Sequence, residues 1–487
     1  MKKFIYLFLS LVVIIVMSGC SGAYGGMYDS YGSYEEYYEQ YKDIRENDYK
    51  DVKEEPLSSF SLDSSTYAYS NLRRLIKNGS YIDSDAVVIE QMLNYFNYSY
   101  VNETKNTLTS ILELDICPWN ENHYLASIAV KAKDYEMKDT KNNFVFLIDV
   151  SGSMSSDNKL RLFKQGFKLL MDEVDENDTI SIVTYASGVN VLAEGINGSN
   201  KEELVEAVME LEAGGSTNGS GGIQKAYRLA EKYFIENGNN RVLMATDGDF
   251  NVGVTTNTEL EWLISSKRKS GVYLSVFGFG MGNTKHDKME TLASKGNGNG
   301  NAYYIDNLLE TKKVFVQELG GVLNTVAKDT KIQIEFNEEA VKSYRLLGYE
   351  NKLLTEEEFN NPNTDAGEIG AGHTTIAMYE IVPNKDFIES DYIFKSILRY
   401  KDPETLKEIE EIKYINELGC VSSKDFNFAS CVVEFGLLLR NSEYVGNGSY
   451  SNLLGRLNDI NLNGDYYKEE FKHLVLLMSD REYYYYD

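Results

Sequence analysis

Three oxygen-bearing side chains stand on alternate positions directly after an apolar run in the stretch FVFLIDVSGSM, residues 144–154. The run at 144–148 is typical of a strand that is buried on both faces. It leads into Asp149, Ser151 and Ser153, whose carboxylate and hydroxyl groups are hard oxygen ligands of the kind that divalent cations prefer. The same side chains could instead cap the next helix, so this stretch alone leaves a cation site and a helix cap equally open.

Two other chemistries are disfavoured by the residues of this turn. A phosphate-binding loop needs glycines in the spacing GxGxxG or GxxxxGK[ST], and the turn has neither. A phosphatase with an aspartyl nucleophile would carry a second aspartate two positions after the first, where Ser151 stands. The choice therefore remains between a cation and a cap.

A second apolar run ends in the same way, and a glycine-rich loop lies between the two. In LMATDGDFNVG, residues 243–253, the run ends in Asp247, and in AGGSTNGSGG, residues 213–222, Thr217 precedes a predicted helix. In open parallel sheets, ligands bind at the carboxyl ends of the strands. We therefore expect one hard-oxygen site at this edge of the sheet, formed by Asp149, Ser151, Ser153, Thr217 and Asp247.

The elements that must position these residues alternate between strands and helices. Apolar rather than alternating strands, separated by helices, indicate an α/β fold with a doubly wound, mostly parallel sheet covered on both faces. We place this domain at residues 141–328. Its predicted strands are 144–149, 179–186, 241–249, 271–280 and 301–306, and its predicted helices are about 160–174, 220–234, 287–295 and 308–327.

The segments on both sides of this domain are predicted to fold as smaller units. Residues 59–140 contain two helical patterns and one alternating strand, which indicates a small α+β domain. Residues 329–480 contain strand-like runs and amphipathic helices, so we expect a β-rich and helical domain beside the central one. Its loop at 363–373 holds carboxylates and a histidine near glycines. We interpret this loop as a hairpin or a turn that needs glycine at positive φ, rather than a second metal or catalytic site, because no strand–helix context supports chemistry there.

The amino-terminal residues indicate export and a lipid anchor. Two lysines precede an apolar run at 4–17, which is short for a membrane span and has the form of a secretory signal. Small residues then precede Cys20 in a run that resembles a bacterial lipobox, so we expect a signal peptide at 1–19 and lipidation of Cys20. An ordinary signal peptide with an incidental cysteine is the alternative. Residues 20–58 are rich in Tyr, Gly and acidic residues and poor in aliphatic ones, which predicts a tether.

The composition narrows the classes of partner. A net charge of −27 argues against nucleic acid, because phosphate binding needs clustered Lys and Arg.

Cys117, Cys420 and Cys431 are widely spaced and odd in number, which does not make a disulfide framework. A bridge between the last two is conceivable, but a buried structural role is favoured.

Taken in order and on these elements, the motifs resemble the von Willebrand factor A domain. The DxSxS motif at 149–153, the threonine of the GGST loop and the DG turn match its metal-ion-dependent adhesion site without substitution. Segments such as YRLLGYENK and DAGEIGAGHTTIAMYE extend the resemblance over about 56–478 to a family of bacterial von Willebrand factor A lipoproteins. Members of that family carry an accessory domain on each side of the A domain, and the family brings no known enzymatic reaction with it.

The resemblance implies how each residue would contribute to the site. Ser151, Ser153 and Thr217 would bind the cation directly, and Asp149 and Asp247 would act mainly through water. Neutral hydroxyls and water leave most of the cation's charge unquenched, so an Asp or Glu carboxylate of a partner protein is the expected further ligand. Octahedral geometry with few protein carboxylates suits Mg²⁺ or Mn²⁺ better than Ca²⁺.

The expected function is therefore metal-dependent binding of a protein partner by a lipoprotein anchored outside the cytoplasm on a bacterial membrane. The alternative is a structural envelope scaffold or assembly factor whose metal only stabilises the fold. A metal-dependent hydrolase is less favoured, because the sequence places no His or Glu predictably near the site as a general base. We thus expect no enzymatic activity.

Overall fold

The computed structural model describes most of the chain from residue 41 onward. The described residues are 41–134, 141–217, 219–248, 262, 264, 266–267, 270–280, 302–318, 321, 324–384, 392–403, 405–416 and 422–485. The predicted signal peptide, Cys20, most of the predicted tether, the predicted helix at 287–295 and Cys420 lie outside these residues.

The described strands and helices are numbered separately in chain order. The strands are β1 Lys50–Asp51, β2 Leu57–Ser61, β3 Leu108–Cys117, β4 Asn120–Ala132, β5 Asn142–Asp149, β6 Thr179–Tyr185, β7 Val189–Asn197, β8 Asn239–Thr246, β9 Tyr273–Phe279, β10 Ala302–Ile305, β11 Thr325–Phe336, β12 Val341–Leu347, β13 Leu353–Leu354, β14 Gly367–Gly370, β15 Thr374–Pro383, β16 Phe394–Lys401 and β17 Glu408–Ile415. The α-helices are α1 Tyr67–Lys77, α2 Ile89–Asn94, α3 Leu160–Asp172, α4 Lys201–Met209, α5 Gly219–Lys232, α6 Leu308–Lys312, α7 Glu356–Asn360, α8 Lys424–Leu439, α9 Tyr450–Asp459 and α10 Tyr466–Tyr485.

The central sheet has the order β10-β9-β8-β5-β6-β7 among the described strands. All neighbouring pairs are parallel except β6 and β7, which are antiparallel. Every residue of β5 and of β8 is buried, because helices cover both faces of the sheet. Alternate residues of β5 face opposite sides, so Phe146 packs in one core cluster with Phe167 of α3, and Leu147 packs in the other with Tyr227 of α5. The predicted doubly wound α/β fold is confirmed.

The flanking segments share two further sheets. In the described part of the chain their strand orders are β1-β12-β15-β4-β3 and β13-β2-β11-β16-β17, with β14 paired to β11. Strands from before the central domain therefore pair with strands from after it, as β4 does with β15 and β2 with β11. The sequence predicted two separate units here. The two segments are not separate units in the structure. The backbone N–H and C=O groups of β4 and β2 form their hydrogen bonds with strands that follow the central domain.

The predicted long helix at 308–327 is shorter in the structure. It consists of α6 followed by one π-helical turn, Lys313–Gln317, and strand β11 begins at Thr325. Residues 325–336, TVAKDTKIQIEF, have several β-branched members and pair on both sides, with β2 and β16. Strands β3 and β7 were not predicted from the sequence.

Residues 41–58 belong to the folded body, although the sequence assigned them to the tether. Strand β1 pairs with β12, and the Asn47 side chain donates hydrogen bonds to the carbonyl oxygens of Leu346 at 3.1 Å and Gly348 at 2.9 Å. Composition predicted a tether because this segment has few aliphatic residues to bury. Backbone and polar side-chain hydrogen bonds hold it instead.

The loop at 363–373 contains the predicted turn with glycine at positive φ, since Gly372 has a φ of +71°. It is not a hairpin, because β14 pairs with β11 whereas β15 pairs with β4 and β12. Cys117 and Cys431 are buried free thiols, as expected for structural cysteines. Burial raises the pKa of Cys431 to about 12.

No helix among the described residues is both long and apolar enough to cross a bilayer.

Candidate functional site

Asp149 ends β5 with one bonded and one unbonded carboxylate oxygen. Its Oδ1 accepts a hydrogen bond of 2.8 Å from the backbone N–H of Ser151. Its Oδ2 is buried and makes no hydrogen bond of good geometry among the described residues, although the phenol of Tyr185 interacts with this carboxylate. Burial raises the pKa of Asp149 to about 6, and the nearby charge of Asp247 adds to this rise, while hydrogen bonds from Ser151 and Tyr185 oppose it. A buried acceptor without a partner is costly, so this oxygen needs a donor or a cation.

Ser151 and Ser153 present their hydroxyls side by side. Their Oγ atoms are 3.0 Å apart, Ser151 is fully buried and Ser153 is half-buried. Ser151 is the N-cap residue of a single 3₁₀ turn, Gly152–Ser155, yet its side chain makes no capping hydrogen bond to that turn. The residue before α3 is Lys159, which also provides no side-chain cap. The helix-cap interpretation is therefore wrong for the Ser151 side chain, whereas the Asp149 carboxylate does form an Asx-type turn with the N–H of Ser151.

The glycine-rich loop is held against the DxSxS turn by two backbone hydrogen bonds. The N–H of Gly214 donates to the carbonyl of Val150 at 2.8 Å, and the N–H of Gly152 donates to the carbonyl of Gly215 at 2.9 Å. Gly215 has a φ of +81°, a left-handed conformation that favours glycine. Thr217 follows two residues later and is buried just before α5. The loop thus brings Thr217 to the same edge of the sheet as Asp149.

Asp247 follows β8 directly and is buried beside a lysine. The ammonium of Lys159 lies 2.9 Å from Asp247 Oδ2 and 3.0 Å from the backbone carbonyl oxygen of Ser153. Lys159 thereby connects the DxSxS turn to the end of β8. The sequence predicted no role for this lysine, because a lysine before a helix is usually solvated and no motif marks it.

Tyr185 is a second neighbour that the sequence did not identify. It ends β6 directly opposite Asp149, and its carbonyl accepts a hydrogen bond of 3.0 Å from the N–H of Val150. Burial, followed by the charge of Asp149, raises the pKa of Tyr185 well above its usual value, so the phenol is neutral. The run TISIVTYA ends in this tyrosine, and its predicted pairing beside β5 was the available signal.

All five predicted residues thus lie at one edge of the central sheet, with hydroxyls and only two carboxylates as donors. In the part of the chain that the structure describes, no group of three or more His, Cys, Asp or Glu side chains is arranged to hold a metal ion. A cation here would depend on hydroxyl and water ligands. Oδ2 of Asp149 and the hydroxyls of Ser151 and Ser153 fit such a cation, because all three are hard oxygen donors. Oδ2 makes no hydrogen bond of good geometry, and the two hydroxyls contact each other.

Three family models match the chain in successive segments. The model described as von Willebrand factor type A domain matches residues 143–317. The model described as von Willebrand factor matches residues 35–127. The model described as "Uncharacterized protein YfbK, C-terminal" matches residues 321–396 and 388–480.

Individual proteins show the same similarity. "Uncharacterized protein YfbK" of Escherichia coli (strain K12) is 39% identical over 435 residues, covering 84% of this chain and 75% of that protein. "Inter-alpha-trypsin inhibitor heavy chain H3" of Homo sapiens is 25% identical over 275 residues, covering 52% of this chain and 30% of that protein. Among solved structures, "von Willebrand factor type A from Catenulispora acidiphila" is 14% identical with a TM-score of 0.42, covering 69% of this chain and 80% of that one.

Proposed function

The chain belongs to the family of bacterial von Willebrand factor A domain proteins that includes YfbK, and from that premise we propose that it binds a partner protein through a divalent cation. The observation that carries the proposal is the buried Oδ2 of Asp149, which makes no hydrogen bond of good geometry among the described residues and lies at the same sheet edge as two adjacent serine hydroxyls. A buried carboxylate oxygen in this state calls for a positive or donating group.

The proposed ligand set follows from the donors at the sheet edge. Ser151, Ser153 and Thr217 would hold the cation through their hydroxyls, and Asp149 and Asp247 would contribute through water. Because the two carboxylates act through water, they neutralise the charge of the ion only in part. Such a site, with few direct carboxylate ligands, favours Mg²⁺ or Mn²⁺ in an octahedral shell. Bound there, the cation supplies an electrophilic position for one anionic ligand from outside.

A carboxylate of a partner protein is the proposed outside ligand. The chain carries a net charge of −27, so its surface repels anionic groups in general. A cation at the sheet edge is then the point of attraction for an Asp or Glu side chain. Because a direct metal–carboxylate bond is screened less than a surface ion pair, capture should persist at moderate salt.

The anchoring of the protein is part of the same proposal. The signal-like run at 4–17 and the small residues before Cys20 support export and lipidation of that cysteine. The protein would then display its A domain outside the cytoplasm of a bacterial cell, attached to a membrane by lipid, and its acidity disfavours nucleic acid as a partner.

We propose binding rather than a purely structural metal or an enzymatic reaction. Lys159 already pairs with Asp247, so the sheet edge has a charge partner without any metal. A fold that needed the metal would be expected to leave both carboxylates without such a partner. The described residues that line the edge include no imidazole to act as a base in hydrolysis.

The test is a pull-down with the lipid-free chain that begins at Ser21, because residues 41–58 are part of the folded body. Capture from envelope extract is compared in Mg²⁺, in EDTA and with a variant carrying Ser151→Ala and Ser153→Ala. The matched control carries Ser155→Ala and Ser156→Ala, two exposed serines of the same turn. We expect the Mg²⁺ sample and the control to capture the same partner, and the other two samples to lose it.

An identical partner set in all samples would overturn the proposal and favour the scaffold interpretation. A partner that requires metal should also lose binding when its own acidic residue at the contact is changed to the amide. Circular dichroism of each variant shows whether the A domain remains folded, so that loss of capture is not confused with unfolding.

A further inference from the structure

We propose that Lys159 is a built-in counter-cation, which neutralises Asp247 in the metal-free state and must withdraw when a divalent ion is held. This inference rests on the proposed metal site and adds its regulation. The lysine ammonium would compete with the metal for the same carboxylate. The affinity of the site would then be set by an exchange between an internal and an external cation.

The first support is the position of the ammonium. It lies 2.9 Å from Asp247 Oδ2 and 3.0 Å from the backbone oxygen of Ser153, and both residues belong to the proposed ligand set. The two side chains are 9% and 1% exposed, so the pair is buried and not a surface ion pair. Charge-assisted hydrogen bonds of this length are strong when they are shielded from water.

The second support is a groove that holds the aliphatic part of the lysine. Gly280, which follows β9, has a φ of +97°, and a Cβ placed there would lie only 2.1 Å from Lys159 Cε and 2.6 Å from its Cγ. The stem of the lysine therefore passes where any other residue at 280 would have its side chain. The carbonyl of Gly280 also accepts a hydrogen bond from the phenol of Tyr304, which fixes this wall of the groove.

The third support is the charge balance of the site. Asp149 and Asp247 bring two negative charges into a buried region, and one ammonium compensates for only part of them. Removal of the ammonium without a metal leaves two buried like charges, which is unfavourable. With a divalent ion present, the ammonium would face a doubly positive neighbour that is separated from the same carboxylate by only one water. The two cations therefore exclude each other.

The magnitude follows from the population of the metal-competent state. If the ammonium holds Asp247 for about nine-tenths of the time, the apparent metal affinity is reduced about tenfold relative to a site without it. A lysine that is more firmly seated lowers the affinity further. At low metal concentration, the Lys159 ammonium would keep the site occupied by its own charge, and the domain would remain folded.

The experiment compares the lipid-free wild-type chain with Lys159→Met and Lys159→Gln. Isothermal titration with Mg²⁺ and with Mn²⁺ measures affinity, and thermal melts in EDTA and in saturating metal measure stability. Both variants should bind metal about tenfold more tightly or better. Both should melt below wild type in EDTA and recover most of that loss in metal. Lys164→Met is the matched control, because Lys164 lies on α3, which Lys159 precedes, and donates to the carbonyls of Met209 and Leu211 away from the site.

The possible results separate this inference from the proposed site. Variants that melt lower by the same amount with and without metal, and bind it no more tightly than wild type, would show that Lys159 is only structural. Failure of wild type and both variants to bind either metal would overturn the proposed metal site and this inference together. Tighter binding in Lys164→Met as well would mean that the effect comes from general surface charge.

Discussion

Arg73 is a buried charge whose removal should destabilise the fold. It lies on α1, and its guanidinium contacts three carboxylates: Asp306 at 2.5 Å, Glu310 at 3.0 Å and Glu470 at 3.4 Å. The first two belong to the A domain and the third to α10. One buried cation therefore connects the segment before the A domain, the A domain itself and the carboxyl-terminal helix.

The expected cost follows from what Arg73→Met leaves behind. The Arg73 side chain is 2% exposed, and the carboxylates of Glu310 and Glu470 are 1% and 7% exposed. Burial raises the pKa of Glu310, and the charge of Arg73 is the first effect that opposes this rise. Loss of one partner from a buried ion pair costs about 3–5 kcal/mol, because the other charge remains buried without compensation. Glu470 keeps its ion pair with Lys77, so this cost falls on Asp306 and Glu310. The phenol of Tyr95 also loses a hydrogen bond of 2.6 Å from the guanidinium.

The assay is denaturant unfolding, followed by tryptophan fluorescence and circular dichroism. We expect Arg73→Met to lower the free energy of unfolding by about 3–5 kcal/mol. Arg161→Met is the control. Arg161 pairs with Asp157, and the two side chains are 67% and 86% exposed, respectively. Such an exposed pair contributes about 0–1 kcal/mol. Glu310→Gln in the Arg73→Met background should restore part of the loss, because it removes one of the stranded charges.

A loss below about 1 kcal/mol, equal to that of the exposed control, would refute the reasoning. It would mean that the three carboxylates find water or protons at little cost once the arginine is gone. Unfolding in two separate steps would instead indicate that the A domain and the flanking body unfold independently, and each step would then be compared with wild type on its own.

Three further predictions concern pH, the metal and the anchor. Burial and, after it, the charge of Glu350 raise the pKa of Glu90 to about 8. The unfolded chain ionises this group near pH 4.3, so wild-type stability falls between about pH 4.3 and pH 8, and the advantage of Glu90→Gln should grow over that window. Thr217→Ala should abolish the rise in melting temperature on addition of Mg²⁺, a rise equivalent to about 2.7 kcal/mol at a hundredfold excess over Kd, while leaving the melt in EDTA unchanged. Cys20→Ala should abolish incorporation of labelled lipid and yield an unprocessed or soluble protein.

Each of these predictions has an outcome that contradicts it. An advantage of Glu90→Gln that is the same at pH 5 and pH 8 would mean that Glu90 is ionised in the folded protein. A Mg²⁺-dependent rise that persists in Thr217→Ala would move the proposed site elsewhere, with Thr179→Ala as a threonine control on a neighbouring strand. Labelled lipid on the Cys20→Ala protein would place the anchor at another residue.

The central domain could be predicted from the sequence because its signals are local. The run that forms β5 is apolar at consecutive positions, and burial on both faces explains that pattern without knowledge of any partner. The polar residues that follow β5 and β8 then had to lie at one edge, and the structure brings them together there. The similarity of residues 143–317 to the von Willebrand factor type A domain confirms the family resemblance.

The organisation of the flanks could not be predicted, because its determinants lie far apart in the chain. Residue Phe60 of β2 pairs with Ile332 of β11, on the other side of the whole A domain. No local pattern records which of several strands will be the partner of β2. The same limitation concealed the role of residues 41–58, whose β1 pairs with β12. Lys159 and Arg73 were missed for a related reason: each resembles an ordinary surface charge until its buried partners are known.

The flanking body also reaches the edge of the sheet that carries the proposed site. Tyr67 of α1 packs against Tyr304 of β10 with ring centroids 5.3 Å apart, and the guanidinium of Arg74 lies over the same ring at 5.9 Å. The phenol of Tyr304 bonds the carbonyl of Gly280, and Gly280 forms the wall on which the stem of Lys159 rests. These contacts form a continuous packed path from a helix outside the A domain to the lysine that pairs with Asp247. The flanks therefore help to shape the groove that seats Lys159, although the sequence places all five proposed metal-site residues within the A domain.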